Sequence, residues 1–331
     1  MRNKTPTLDD VAKLAGVSRI TASRYFRQPE KLRSTTQAKV AKAIADLGFS
    51  PNLAASALAG QPSKMVLALV SALSNPLFAS LVSAMQSKLA EHGLHLLIAD
   101  TQYDPDQEFQ LLLELLGRRP DGILLSTIFH SPKTHKLLLQ SAIPVVEVWD
   151  YPDSGVAINS AVGFSNHEIG YIAAKHLCLG PNPKAVFCGA NDERDEWRWR
   201  GFTQGCNELG APPPQRYELP LLPDIAQGKT ALKQLLANQH DFNAIFFTND
   251  LPAIGAVQLA NELGIQLPNQ LRICGFGNTE FAAHLQPSLS SISVPIEQIG
   301  KQAVSELINM LNGKAPQMHK LPASLIQGQS S

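Results

Sequence analysis

The sequence has little cysteine: four in 331 residues (Cys178, Cys188, Cys206, Cys274), with no CxxC pair. Thiols scattered in this way read as small buried apolar residues in a reducing compartment, the cytoplasm, and not as a disulfide framework. No run of about 18 uncharged apolar residues occurs, so no membrane span is expected. The opening Met1-Arg2-Asn3-Lys4-Thr5-Pro6 lacks the apolar core of a secretory signal. Common catalytic signatures are missing too: no G-x-S-x-G elbow, H-E-x-x-H zinc helix, P-loop or G-x-G-x-x-G is found. His92 and His95 form an HxxH with no third ligand indicated, so neither metal nor cofactor is expected, and an enzyme is disfavoured.

Net charge is also absent, with 28 basic and 28 acidic residues, but its distribution is uneven. Residues 1–60 hold ten Lys/Arg and four Asp/Glu; the other 271 residues hold 18 and 24. A small basic head on an acidic body points to a polyanion as the partner of the head alone.

The head has a pattern to match. Thr7 precedes an apolar-periodic stretch from Leu8 to Ala15 whose first turn carries Asp9 and Asp10, where the helix dipole favours acids. Gly16 is a helix stop, Val17 a buried plug and Ser18 the N-cap of a second helix to Arg27. A third helix spans about Ser34 to Leu47, with Ser34, Thr35 and Thr36 as cap candidates and Gly48 as its stop. Its apolar positions are Ala38, Val40, Ala41, Ile44 and Leu47. Helix, glycine turn, helix and third helix within about 45 residues is the helix-turn-helix plan, whose second helix reads the major groove with its first residues. Arg19 can fork onto guanine and Ile20 can touch a thymine methyl. Thr7, Ser18, Ser23, Arg24 and Arg33 suit phosphates.

From Met65 onward apolar strands alternate with helices. The strands are Met65–Val70, Leu94–Ala99, Gly122–Leu125 and Val145–Val148, with helices between them. After Ala157–Phe164 the alternation restarts through strands near Ala185, Arg216, Ala244 and Leu271, and a final helix, Ile296–Leu311, is long enough to return to the first unit. Near-continuous apolar strands joined by helices imply parallel sheets covered on both faces, here as two doubly wound lobes with a cleft beyond the strand ends. Arg194 and Arg198, four apart on one helix face, suit a carboxylate or a vicinal diol. The alternative is a surface role, pairing with Asp192, Glu193, Asp195 or Glu196. His130 and Glu147 lie near strand ends and can exchange hydrogen bonds with hydroxyls. Asn166, Asn249 and Asn278 offer mixed donor–acceptor amides, and Asn75 and Phe78 stand where a lid would close.

Thr7 to Ser18, Thr21-Ala22-Ser23-Arg24, Gly48-Phe49-Ser50-Pro51-Asn52 and Ala54 to Gly60 together resemble the reader of the lactose/galactose-repressor family. Ser74 to Phe78, Gly122 to Leu125, Thr248-Asn249-Asp250 and Gly275-Phe276 extend the resemblance over about residues 7–325. One departure is Ala22, where the family usually has Val. The resemblance implies a DNA-binding transcriptional regulator, a homodimer on a palindromic double-stranded operator, controlled by a small molecule held between periplasmic-binding-protein-like lobes. It adds Thr21 to the reading residues and implies a hinge helix with Asn52, Ala55 and Leu58 on DNA, Leu58 as a minor-groove wedge. A linker helix that packs Leu58 on the body is the alternative.

The implied organisation is a helix-turn-helix domain at 1–50, hinge and linker at 51–63, and an effector and dimerisation domain at 64–331. Its lobe 1 covers about 64–162 and 293–320, and its lobe 2 about 163–292 and 321–331. By the same resemblance Arg198, three before Gly201, is a basic ligand contact. Gly277 replaces a frequent Asp and Pro223 lies near a frequent aromatic, which disfavours a hexopyranose stacked on tryptophan. Ala161-Val162-Gly163-Phe164, Asp192-Glu193-Arg194 and His130 with Pro132 resemble the gluconate/idonate-repressor branch, implying a sugar acid. A neutral sugar, nucleoside or purine effector stays open, as does a binding protein without DNA function.

Overall fold

The computed structural model describes residues 6–50, 62–180, 182–238 and 241–331. The chain divides into two compact units, Met1–Ser63 and Lys64–Ser331. Asn52, Ala55 and Leu58, and with them the expected hinge helix, lie outside the described residues.

In the first unit, α1 (Leu8–Ala15) opens with a reciprocal cap: Thr7 Oγ1 accepts from Asp10 N, and Thr7 N donates to Asp10 Oδ2 at 2.9 Å. Gly16 closes it at φ 65°, a left-handed conformation costly for a residue with a Cβ. Ser18 caps α2 (Arg19–Arg27) by accepting from Thr21 N at 3.1 Å. The third helix, α3 (Ser34–Leu47), departs from expectation at its start: Arg33 is the N-cap, without a side-chain cap bond. Its inward face also differs. Ala38 and Ala41 are exposed, and Val40 and Ala43 are buried against Val11 and Ala15, with Val17, Ile44, Leu47 and Phe49 packed around them. Ala22 is fully buried, so the smaller residue still seats α2 on its neighbours.

The second unit contains two six-stranded sheets of matching topology. In the first, β1 (Met65–Val70), β2 (His95–Asp100), β3 (Gly122–Leu125), β4 (Val145–Asp150), β5 (Ser160–Phe164) and β11 (His319–Lys320) lie in the order β11-β5-β4-β3-β1-β2, all parallel. In the second, β6 (Ala185–Ala190), β7 (Gln215–Leu219), β8 (Ala244–Phe247), β9 (Arg272–Phe276), β10 (Ser290–Ser293) and β12 (Ser324–Ile326) run β12-β10-β9-β8-β6-β7, with β12 antiparallel. These are the two doubly wound lobes expected from the alternating pattern. The switch points lie between β1 and β3 and between β6 and β8, and clefts form beyond the strand ends there.

The connecting helices of the first lobe are α4 (Pro76–Ala90), α5 (Pro105–Leu116) and α6 (Pro132–Ser141). Those of the second are α7 (Asn166–Leu177), α8 (Glu193–Glu208), α9 (Ile225–Ala237), α10 (Asp250–Glu262) and the short α11 (Glu280–Ala283). The last helix, α12 (Ile296–Leu311), returns to the first lobe and packs on α4 and β4. The chain therefore crosses between lobes three times: after β5, after β10 and after β11. β10, β11 and β12 escape the apolar pattern. Ser290 and Ser291 of β10 are fully buried, their hydroxyls engaged with Gly328 N and Asp250 Oδ1.

Candidate nucleic-acid interface and ligand cleft

On α2, Ile20 is 71% exposed, and Arg19 and Arg24 are exposed as well. Arg19 Nε sits 3.4 Å from Asp9 Oδ1 in a solvated pair of little energetic value, which leaves the guanidinium exchangeable for a base edge. Thr21 and Ser23 are half-buried, and Thr21 shares a hydroxyl contact with Ser18 at 2.9 Å. Thr7 and Ser18 spend their side chains on helix caps and remain exposed. One convex helix N-terminus thus presents a fork, an apolar tip and hydroxyls, the chemistry of groove reading.

In the second unit the arginines meet at the cleft. Asp192 caps α8, whose next turns carry Arg194, which reaches lobe 1, and Arg198, which bonds within lobe 2. Arg194 is 7% exposed and forks onto Asp150 at the end of β4, Nε–Oδ1 2.9 Å and Nη2–Oδ2 2.7 Å, while Nη2 also donates to Ser126 O at 3.1 Å. This buried bridge spans the two lobes. The sequence-local acids considered for Arg194 are not its partners. Arg198 donates from Nε to Asn166 Oδ1 (2.9 Å) and from Nη1 to Asp195 Oδ1 (3.1 Å) and Thr248 O (3.0 Å), and its plane lies 4.3 Å from the Phe276 ring centroid. Asn166 closes the chain by donating to Asp150 at 2.7 Å. Burial pushes the Arg198 guanidinium below its usual pKa, with Asp195 opposing; burial raises the Asp195 carboxyl, with Arg198 opposing. Among the described residues, no protein hydrogen bond uses Arg194 Nη1 or Arg198 Nη2.

Two glycines set this geometry. A Cβ on Gly170 would come within 1.8 Å of Arg198 O, and one on Gly201 within 1.9 Å of His167 O, so α7 and α8 touch backbone to backbone. The floor is aromatic: Phe78 and Trp149 at 4.8 Å, Trp149 and Phe164 at 5.2 Å, Phe164 and Phe276 at 5.6 Å between centroids. Trp149 is held at φ 89°, and its neighbour on β5 is Gly163, whose Cβ would lie 2.2 Å from the Trp149 carbonyl oxygen. Strain of this kind persists only where packing over-determines it.

An inner cavity of about 50 Å³ is lined by Asn75, Phe78, Trp149, Arg194, Arg198 and Asn249, among others. An outer chamber of about 380 Å³ lies beside it, lined by Ser71, Thr101, Thr127, His130 and Ser131, and shares Tyr103, Asp192, Arg194 and Leu221 with it. Three of the expected ligand residues line neither cavity: Asn166, which is spent between Arg198 and Asp150, together with Asn278 and Glu147. Asn278 is exposed at φ 47° and lines neither cavity; Glu147 is buried, its Oε2 accepting from Ile158 N at 2.8 Å. Asn75 and Asn249 line the cavity but accept from their own helix N-termini. Trp149, Asp150, Tyr103 and Thr248 were not singled out by residue type. Their position directly after or at the end of strands was the signal available.

His130 sits between two buried carboxylates, Nδ1 2.9 Å from Glu108 Oε1 and Nε2 3.2 Å from Glu147 Oε1, the latter too poorly angled for a hydrogen bond. Burial by itself would lower its pKa; the two carboxylates outweigh it and bring it up to about 9. The folded protein thus binds this proton more tightly than the unfolded chain, where the reference value is 6.5. The cluster's contribution to stability is full below that value and is lost as pH rises through about 9. Wild type should exceed His130→Gln in unfolding free energy by on the order of 3 kcal/mol near neutral pH and below, with the gap closing toward about pH 10. Denaturant melts showing an equal gap at both ends of that range would remove the ion cluster from the account.

Among the described residues no helix is long and apolar enough to cross a membrane, and no group of three or more His, Cys, Asp or Glu could hold a metal ion.

Residues 7–52 match the model of bacterial regulatory proteins of the lacI family, and residues 179–331 match a periplasmic binding protein-like domain. The chain is 33% identical over 313 residues to the HTH-type transcriptional regulator IdnR of Escherichia coli (strain K12), covering 94% of this chain and 93% of that one. It is 35% identical over 311 residues to the HTH-type transcriptional regulator GntR of Pseudomonas aeruginosa (93% and 90%). A solved lacI-family transcriptional regulator from Silicibacter pomeroyi superposes with a TM-score of 0.90 at 27% identity, covering 98% of this chain and 99% of that one. The helix-turn-helix unit and the two lobes are therefore those of a DNA-binding transcriptional regulator, and the chain belongs to the lacI family.

Proposed function

We propose that this regulator acts as a homodimeric repressor of sugar-acid utilisation genes, with gluconate the first effector to test. The observation that carries the effector reading is the pair of buried arginines, each with one terminal nitrogen uncommitted at the cavity wall. A carboxylate accepts two parallel bonds from such nitrogens, and flanking hydroxyls suit the Ser, Thr and His of the outer chamber. The inner cavity, about 50 Å³, is by itself too small for a six-carbon acid. A six-carbon acid therefore uses the outer chamber and parts Tyr103 and Arg194 on entry. The relatives named IdnR and GntR are consistent with this branch assignment. In this reading Asn75, Phe78, His130, Asn166, Arg194, Arg198 and Asn249 form or support the ligand wall, and Glu147 supports it through His130. A thermal-shift screen of sugar acids against neutral sugars and purines tests it. Stabilisation by a neutral sugar or purine alone sinks the acid assignment.

A single helix-turn-helix reads few bases, so two copies on a palindrome are required for specificity. Binding should then weaken steeply with salt, by about 10³- to 10⁵-fold between roughly 50 and 200 mM if about 6–10 phosphates are neutralised. Arg19→Ala should cost about 1–3 kcal/mol and relax preference at one base position, whereas Arg24→Ala should weaken all sequences alike and flatten the salt slope. Salt titrations by fluorescence anisotropy on operator and random duplex check both; equal sequence preference in wild type and Arg19→Ala overturns the reading role of Arg19.

A further inference from the structure

Among the described residues, three buried side-chain polar atoms lack a hydrogen-bond partner: His130 Nε2, Thr203 Oγ1 and Gln227 Oε1. His130 Nε2 faces Glu147, and Thr203 lines neither cleft cavity. Gln227 lines the inner cavity beside Arg194 and Arg198. It is the third residue of α9, in the first turn of that helix. Asp224 caps α9 by accepting Gln227 N at 2.8 Å. A Cβ on the adjacent Gly228 would stand 1.7 Å from Pro252 O, and one on Gly255 1.9 Å from Ile225 O, so α9 and α10 meet backbone to backbone at this point.

The orientation of the amide is also settled by chemistry. Gln227 Nε2 donates to Leu222 O at 2.5 Å and lies 3.4 Å from Asp224 Oδ2. Turning the amide over would set its oxygen against two acceptors, so the nitrogen must face the loop and the oxygen is left over. A buried acceptor without a donor is costly, and a donor supplied by a ligand removes that cost. Arginine nitrogens lining the same cavity ask for an acceptor; Gln227 asks for a donor. One molecule meeting both carries an anionic end and a hydroxyl.

We infer that Gln227 is a specificity-determining residue of the cleft, accepting at Oε1 a hydrogen bond from a hydroxyl of the acid whose carboxylate engages the two arginines. The assignment rests on the sugar-acid reading above and adds to it the residue that distinguishes polyhydroxy acids from plain ones. The loop carrying Leu221 and Pro223, which also lines the inner cavity, provides the apolar frame around that hydrogen bond.

Calorimetry with D-gluconate and its monodeoxy analogues, on full-length wild type and Gln227→Leu, tests the assignment. Wild type should bind gluconate about 10- to 100-fold more tightly than Gln227→Leu. For one of the monodeoxy acids, the analogue lacking the matched hydroxyl, the two proteins should bind equally. Leucine also removes the bond to Leu222 O, so a merely disturbed loop would weaken every acid by the same factor; that uniform loss overturns the assignment. Equal gluconate affinity in the two proteins overturns it as well, with the sugar-acid reading intact. A wild-type protein that binds no sugar acid overturns that reading and the role of Gln227 together.

Discussion

Arg198→Ala should abolish the response of operator binding to effector and destabilise the two-lobed unit by about 3–5 kcal/mol, because it leaves a buried carboxylate without its cation. Arg198 is 4% exposed and holds Asn166, Asp195 and Thr248 O on one guanidinium while resting on the Phe276 ring. Without it, among the described residues, the Asp195 carboxylate retains only the Ala190 N–H and the Thr248 hydroxyl as hydrogen-bond donors, both on Oδ2. Arg198→Lys keeps the charge but not the fork, so it should recover part of the stability and little of the response. Denaturant unfolding and operator-binding assays with and without gluconate, run below the variant's melting temperature, read the two effects. Full response in Arg198→Ala would take Arg198 out of the ligand wall, and unchanged stability would contradict the buried network.

The second large effect concerns the bridge between lobes. Arg194→Ala and Asp150→Ala should each cost about 3–5 kcal/mol, since each strands a buried partner, and the double variant should cost clearly less than the sum. Asp150 also accepts from Asn166, so its loss also reaches Arg198 through that amide. The double-mutant cycle is expected to return a coupling of about 2–3 kcal/mol. Additive losses would mean the two side chains do not depend on each other and that the lobes are held by the aromatic cluster alone. The charges of the cleft nearly balance, with Asp150, Asp192 and Asp195 near two guanidiniums. An entering carboxylate therefore gains from well-placed open nitrogens more than from net positive field, and it competes with Asp150 for Arg194.

Much of the fold was legible because it is written locally. Thr7 with Asp10, Gly16, Ser18 and Gly48 mark their helix ends through side chains and φ values that need nothing beyond a few neighbours. Apolar runs such as Met65–Val70 and Ala185–Ala190 mark strands covered on both faces. Where local chemistry misleads, tertiary contacts explain it. Ser34, Thr35 and Thr36 look like caps but α3 already starts at Ser34, and its N-cap is Arg33. Ala43 and not Ala41 faces inward because Val11 and Ala15 of α1 set the contact stripe. β10 is a serine-rich strand hidden from hydropathy, buried because Asp250, Ser330 and Gly328 satisfy its polar groups.

The candidate site shows the same division. That Arg194 and Arg198 share a helix face follows from a spacing of four, and the strand ends where ligands gather follow from the alternation of elements. The sequence alone therefore determined a basic helix-turn-helix head, two doubly wound lobes and the residue types available to a cleft, since these depend on periodicity, caps and composition over a few residues. Only the tertiary structure decided that Arg194 meets Asp150 across the lobes, that Glu147 serves His130, that Asn278 points to solvent, and that Gln227 is left with an open acceptor. Such pairings join residues tens of positions apart, and which donor reaches which acceptor is settled by backbone approach at Gly170, Gly201 and Gly228, a matter of ångströms that no linear pattern encodes.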